Sequence, residues 1–414
     1  MARPPGPATG SVSLMLEQAS APLAPLTTLR VGGPARRMVT AATEQEIVET
    51  VKDCDRRGEP LLILAGGSNL VIGDDGFDGT VLKIASTGVT KQKTCSGLRL
   101  GVAAGHDWDA FVAEAVELGA VGVEAMSGIP GSAGATPIQN VGAYGQDVSQ
   151  SIAWIRALDR ETGDIRGMQS RCLEFGYRDS VFKQNPGKYV VLTVWFGFDP
   201  PAASETERLS APIRYAELAR AVGVEEGERV PLALVRETVL KLRAAKGMVL
   251  NAEDHDTWSA GSFFTNPVLD VDAFDALAAR STMLPPRFPA PNNQVKTSAA
   301  WLIEQAGYPK GYGAGPATLS TKHTLALTNR GAAAAADVLG LAREIRDGVR
   351  DRFGVELVPE PVFVGAGSVA SSIRGETQVS DRSLHSSVFR VNRSHRLNRL
   401  RLRACQAIAA AGPR

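Results

Sequence analysis

Apolar residues recur along this chain in two rhythms, and the change between them suggests two halves. In the first half, Ile47, Val48, Val51 and Cys54 line one face of a helix that Thr43-Glu44-Gln45-Glu46 opens as a capping box and Gly58 stops. The continuous run Pro60–Ala65 (PLLILA) predicts a buried strand, Thr80–Ile84 a second and Leu98–Val102 a short third. This order is βαβ-like. From Asp107 to Leu118, the spacing of Trp108, Phe111, Val112, Ala115 and Val116 predicts a helix ending at Gly119. Ile152–Asp159 and Tyr189–Phe198 read as strands, with Tyr177-Arg178-Asp179-Ser180 in the loop between them. The second half is helix-rich. Pro231–Lys246 carries Leu232, Val235, Val239 and Leu242 on one face. About Ala332–Phe353 carries Val338, Leu341, Ile345 and Val349, with Gly354 as its cap. A shorter strand or two is expected there, then a last strand over Val355–Gly365. Residues 1–22 read as a disordered lead-in, and 366–414 as a mostly disordered tail with a fragmentary helix near Leu397–Ala410.

One stretch obeys neither rhythm. Ala125–Gln146 (AMSGIPGSAGATPIQNVGAYGQ) holds Gly128, Gly131, Gly134, Gly142 and Gly145, two prolines and no charged side chain. Such glycine density is costly in a helix or strand, but it permits positive φ and lets bare N–H groups converge on an anion. A second uncharged glycine turn, Gly66-Gly67-Ser68-Asn69-Leu70, follows directly on the Pro60–Ala65 strand. Neither turn ends in the GK[ST] of a P-loop, and GGSNLVIGDDG lacks the GxGxxG spacing of a Rossmann unit. Two uncharged turns at strand ends fit a non-Rossmann dinucleotide binder, with backbone N–H groups, Ser68, Asn69, Thr136, Gln139 and Asn140 as polar contacts.

Composition narrows the class. At 414 residues, 44% hydrophobic and 21% charged, the chain has the make-up of a globular enzyme of two or three domains. The net charge of +1 argues against a general nucleic-acid binder but hides an asymmetry. After Gly365, nine arginines face Glu376 and Asp381, a net of +7 that leaves the rest near −6. Cys54, Cys95, Cys172 and Cys405 form no CxxC pair, and the five histidines show no metal-ligand spacing. A reducing, cytoplasmic setting without a metal is expected, with no transmembrane run of eighteen apolar residues and no signal-peptide core.

The runs TTLRVGGPAR, ILAGGSNLVIGDDGFDG, GIPGSAGATPIQNVGAYGQD, YRDSVFK, AGSFFTNP, AAWLIEQAG and LVPEPVFVG occur in one order from Thr27 to Gly365. In these the sequence resembles the UDP-N-acetylenolpyruvoylglucosamine reductase family, flavoenzymes that complete UDP-N-acetylmuramate for peptidoglycan. The resemblance implies an α+β chain: a vanillyl-alcohol-oxidase/PCMH-like FAD-binding fold over 23–200, split near 88, and an α+β substrate-binding domain over 201–354. A closing strand over 355–365 would carry a catalytic glutamate. It implies FAD and NADPH as cofactors, UDP-N-acetylglucosamine enolpyruvate as substrate, and a monomer without nucleic-acid or membrane partners. The implied cofactor contacts are Arg30, Gly66, Gly67, Ser68, Asn69, Leu70, Gly128, Ile129, Gly131, Gly134, Thr136, Gln139, Asn140, Gly142, Ala143 and Tyr144.

The resemblance also implies a catalytic set. Hydride addition to the enolpyruvyl methylene carbon leaves negative charge on the adjacent carbon and its carboxylate. That species needs a donor at the carboxylate and a proton at carbon. Arg178 of YRDS matches the family's arginine, Glu360 of VPEP the glutamate that helps stabilise the enol form, and Ser262 of GSFFTNP the acid that protonates carbon. Tyr177, Tyr215, Lys246, Asn266 and Gln305 match substrate contacts. Taken alone, Arg178 reads equally as a surface ion pair, Ser262 as a turn cap, Glu360 as a solvated carboxylate between prolines, Tyr215 as a packed aromatic and Lys246 as a cation at a helix C-terminus.

The link from Lys246 to Ser262 is longer than the short proline-containing one often seen in the family, and VPEPVFVG replaces a commoner LEPEVRFIG-like string. The basic tail reads as a dispensable extension; the sharper alternative is a contact with anionic membrane or nucleic acid. Two rival functions remain open at this level. A related flavin oxidase of the same fold would often carry a histidine for covalent flavin attachment near GGSN, where none stands. A non-catalytic nucleotide-sugar-binding protein would purify without flavin.

Overall fold

The computed structural model describes residues 16–95, 97–199 and 208–365. A first sheet has the order β1-β2-β5-β3, formed by Leu16–Pro22 (β1), Pro34–Ala41 (β2), Leu61–Leu64 (β3) and Phe77–Ile84 (β5). Strands β2, β5 and β3 run parallel, and the helix α1 (Glu44–Arg57) makes the crossover from β2 to β3. The capping box is formed as expected: Thr43 accepts from the Glu46 N–H while the Glu46 carboxylate accepts from the Thr43 N–H, and Gly58 closes the helix at φ +63°. Thr43→Ala should cost about 1 kcal/mol, read as a lower denaturant midpoint at unchanged slope. Between β3 and β5 lies the short β4 (Leu70–Ile72).

Residues 16–22 correct the expected lead-in, because they form β1, antiparallel to β2. All but one of the seven are exposed, so no apolar pattern announces the strand. It is held by backbone pairing to the edge of β2 and by the Glu17–Arg37 ion pair at 2.6 Å.

A second, antiparallel sheet has the order β11-β10-β12-β7-β6. It comprises Val89–Thr94 (β6), Gly97–Ala103 (β7), Ile152–Asp159 (β10), Asp164–Gln169 (β11) and Tyr189–Phe198 (β12). Helix α2 (Trp108–Glu117) buries Trp108 and Phe111 against Phe196, with ring centroids 5.9 and 4.8 Å apart. The cluster they join includes Leu82 and Ile84 of the first sheet, so one core spans both sheets. The glycine-rich stretch lies between α2 and β10. Its only strands are the tiny hairpin β8 (Gly142–Ala143) and β9 (Gln146–Asp147).

The second half holds α4 (Ala216–Val222), α5 (Leu232–Ala245), α6 (Val271–Ala279), α7 (Ala299–Gln305) and α8 (Ala335–Phe353), following the one-turn α3 (Val181–Gln184). It contains more strand than the pattern suggests: β13 (Val268–Leu269), β14 (Phe288–Pro289), β15 (Val295–Lys296), β16 (Ala317–Leu319) and β17 (Leu327–Asn329). None exceeds three residues, too short for alternation to show. The expected strand Val355–Gly365 shrinks to Val362–Val364 (β18), parallel to β4. Pro359 and Pro361 lack the N–H that a longer ladder would use; around them Glu360 N→Phe263 O (2.9 Å), Thr265 N→Val358 O (3.0 Å) and Val362 N→Asn69 O (2.9 Å) pair the segment. The expected tail, with its helix fragment near 397–410, falls outside the described residues. Among the described residues no helix is long and apolar enough to cross a membrane.

Candidate active site

The two glycine turns meet main chain to main chain. A Cβ on Gly66 would stand 2.4 Å from the Gly131 Cα, and one on Gly131 2.8 Å from Ser68 Oγ. Gly67 and Gly131 have φ of +62° and +131°, so both glycines are required by backbone as well as by space. Among the described residues no protein acceptor is found for the N–H groups of Gly66, Gly67, Ser68 and Asn69. The buried Ser132 Oγ also lacks a partner. Adjacent unpaired donors in a glycine-lined turn are what an anionic ligand would complete. Asn69 Nδ2 reaches Gln139 Oε1 at 3.0 Å, which locks the turns together at their far end.

The other glycines serve packing. Gly128 donates its N–H to Asp109 Oδ1 (2.6 Å), and Asp109 in turn receives both Nη atoms of Arg236 on α5 at 2.6 and 2.9 Å. Gly134 lies on Ala104, and Thr136 spends its hydroxyl on Ala133 O at 2.8 Å. Leu70 belongs to β4, Ile129 packs on the main core and Ala143 sits in the small hairpin. Arg30 stacks 3.9 Å from the Trp258 ring centre with φ +55°.

Arg178 and Glu360 come together at 3.3 Å (Nε to Oε1), although distant segments supply them. Arg178 has φ +54°, an uncommon conformation for a non-glycine residue. Its backbone carbonyl accepts from Lys183 Nζ at 2.7 Å. Its guanidinium donates from Nη1 to Asn140 O (3.2 Å) and from Nη2 to Gly142 O (2.9 Å). Three of five N–H donors are thus engaged, leaving one on each Nη for a ligand. Asn140 and Ser180 brace the same loop: Asn140 Nδ2 donates to Gly176 O (3.0 Å) and Ser180 Oγ to Ile138 O (2.6 Å). Arg178 is therefore no surface ion pair with Asp179, whose carboxylate takes Gln184. Burial pushes the Glu360 carboxyl above its ordinary range, against the opposing charges of Arg178 and Lys183.

Ser262 lies on the strand-like segment beside Glu360: its neighbour Phe263 accepts the Glu360 N–H and donates its own N–H to Leu325 O at 2.7 Å. With Phe263 and Phe264 buried, the backbone is pinned, while the half-exposed Ser262 hydroxyl has no protein partner among the described residues. Asn266 accepts from the Ala299 N–H at 3.0 Å and hydrogen-bonds Tyr177, whose half-exposed ring lies 5.1 Å from Lys296 Nζ.

A third cluster flanks this group. Tyr144 and Tyr215 meet edge to face at 5.4 Å, and Lys246 Nζ lies 5.7 Å from the Tyr144 ring while pairing with Glu217 at 2.6 Å. Burial raises the Tyr144 hydroxyl to about 12. Gln305 ends α7 and shows no hydrogen bond joining it to these residues. Three further residues bear on the site without any sequence motif to mark them. Burial and nearby Lys246 and Lys310 hold His323 down to about 4, a neutral imidazole beside the lysine. Burial lowers Arg243 to about 10, and its Nε is buried without a partner. Glu124, fully buried, accepts from Gly122 N, Gln146 Nε2 and Ala211 N, joining the glycine stretch to the second half.

Comparison with known proteins gives one consistent result. The C-terminal-domain model of UDP-N-acetylenolpyruvoylglucosamine reductase matches residues 252–364, and an FAD-binding-domain model matches 35–168. The chain is 55% identical over 373 residues to UDP-N-acetylenolpyruvoylglucosamine reductase of Streptomyces coelicolor, covering 88% of this chain and 95% of that one. It is 52% identical over 351 residues to the Thermobifida fusca protein of that name, covering 83% and 97%. The crystal structure of the Thermus caldophilus reductase shares the fold, with TM-score 0.56 at 23% identity over 84% of this chain and 98% of that one.

Proposed function

The chain belongs to the UDP-N-acetylenolpyruvoylglucosamine reductase family, and from that membership we propose how its own residues divide the work. The protein is an FAD-dependent, NADPH-using oxidoreductase that reduces UDP-N-acetylglucosamine enolpyruvate to UDP-N-acetylmuramate for peptidoglycan synthesis. FAD, when bound, supplies hydride transfer from NADPH to the enolpyruvyl double bond. We assign residues 23–200 to holding it, with the subdomains parting near 88, residues 201–354 to the sugar nucleotide, and 355–365 to returning Glu360 to the site. A cytoplasmic monomer without membrane or nucleic-acid partners fits the scattered cysteines, and its product serves cell shape and division.

The observation that carries the assignment is the Arg178–Glu360 contact, with Ser262 on the segment whose next residue, Phe263, pairs with the Glu360 main chain. The remaining Nη donors of Arg178 bind the substrate carboxylate, where negative charge grows as hydride arrives. Glu360, kept protonated more readily by its burial, donates a hydrogen bond to the same enolate-like group. Ser262 gives its proton to the adjacent carbon and recovers one through water. The N–H groups of Gly66–Asn69, with Gly131 packed against them, would hold the cofactor diphosphate; Gln139 braces that turn through Asn69, and Asn140 braces the neighbouring Arg178 loop. Tyr177, Tyr215, Lys246, Asn266 and Gln305 receive the nucleotide sugar. The direct test is a visible spectrum of the purified protein, then NADPH consumption with and without the enolpyruvyl sugar nucleotide. A colourless protein that releases no flavin would refute the reading.

Lys246 gives a graded prediction. Lys246→Met removes a charge-assisted contact of about 1.5–3 kcal/mol, so KM for the sugar nucleotide should rise about 10- to 100-fold with kcat nearly unchanged. A fall in kcat at constant KM would place Lys246 elsewhere.

A further inference from the structure

Lys83 occupies an odd place for an ammonium group. On β5 it pairs in register with Leu64 of β3 and Thr40 of β2, and shares a sheet face with Val81. That face packs the small cluster of Leu23, Leu64, Ile72 and Val81. Lys83 stands at the carboxyl end of the parallel strands, where open α/β sheets take their ligands. Its Nζ donates to Ala65 O, the carbonyl at the root of the glycine turn. Among the described residues no carboxylate lies within ion-pair distance of it, and burial alone lowers its proton affinity.

Two deficits therefore coincide. A half-buried cation has one neutral carbonyl and no anion, and the next residues, Gly66 to Asn69, present N–H groups without acceptors. A lone buried charge is unfavourable unless something neutralises it. One phosphate-bearing ligand at the turn would complete both.

We propose that Lys83 supplies the positive charge for the diphosphate of the flavin dinucleotide, from beneath the Gly66–Asn69 turn. This rests on assigning that turn to the cofactor. It alters the picture of an uncharged cradle: backbone donors shape the site, and a cation placed in a separate strand supplies charge.

The test uses full-length protein stripped of flavin and retitrated with FAD by fluorescence quenching, over a series of salt concentrations. Lys83→Met should weaken FAD binding about 10-fold or more and flatten its salt dependence, while Lys83→Arg keeps most of both. The flavin-free Lys83→Met protein should melt no lower than flavin-free wild type, but its upward shift on adding FAD should shrink. Wild-type affinity and salt slope in Lys83→Met would overturn the proposal, and so would a flavin-free variant that melts well below wild type, which would make Lys83 a structural residue. Gly66→Ala separates the two levels. If it keeps wild-type FAD affinity, the turn is not the cofactor site and the assignment beneath the proposal falls as well. If it loses FAD while Lys83→Met does not, only the role of Lys83 falls.

Discussion

Ser262→Ala should oxidise NADPH in the absence of sugar nucleotide as fast as the wild type, yet form UDP-N-acetylmuramate about 10²- to 10⁴-fold more slowly. The split follows from where the hydroxyl stands. Its backbone is fixed by the buried Phe263 and Phe264 and by the Phe263–Leu325 and Glu360–Phe263 hydrogen bonds, so removing one oxygen leaves the segment in place. Among the described residues the hydroxyl itself holds no protein partner whose loss would disturb folding. Only the protonation of carbon is then missing. Stopped-flow measurement of the two half-reactions separates these cases. Product formation near the wild-type rate would remove Ser262 from the role of acid and leave the proton to water or another group.

The parts of this site visible in the sequence are those that a local pattern can carry. The capping box of Thr43 and Glu46 and the apolar faces of α1 and α2 lie within single elements, and each forms as read. The two glycine turns are visible as composition, but their contact, Gly66 on Gly131, is not, because nothing local encodes which turns touch. The resemblance points to Arg178, Ser262 and Glu360. What no pattern supplies is why Arg178 and Glu360 meet. The short strand β18 pairs with β4, carrying Glu360 to the turn whose Asn69 also reaches its carbonyl. Arg178 is aimed by two main-chain carbonyls, those of Asn140 and Gly142, and main-chain groups leave no mark in side-chain chemistry. β1 leaves no apolar pattern for the opposite reason. All but one of its residues are exposed, so backbone pairing, with the Glu17–Arg37 ion pair, makes it a strand.

Glu360→Gln tests whether the carboxyl acts as a neutral donor. Burial raises its proton affinity above the ordinary carboxylate range, with Arg178 and Lys183 pulling the other way. The protonated fraction therefore survives to higher pH than in an exposed glutamate and declines as pH climbs through the raised value. A protonated Glu360 can donate to the enolate-like oxygen, whereas its carboxylate would repel that oxygen and hold Arg178 more tightly through Nε. In the wild type, the rate of product formation should therefore carry a descending limb on the alkaline side of that value. Glutamine has a similar shape and keeps an N–H donor, but it is a weaker donor and cannot titrate. The variant should lose product formation by about 10²-fold at the wild-type optimum and lose the descending limb with it. A pH profile of the substrate half-reaction in both proteins decides the matter. If the limb persists unchanged in the glutamine variant, it belongs to another group, and Glu360 serves to hold Arg178 in position and not to stabilise the enol.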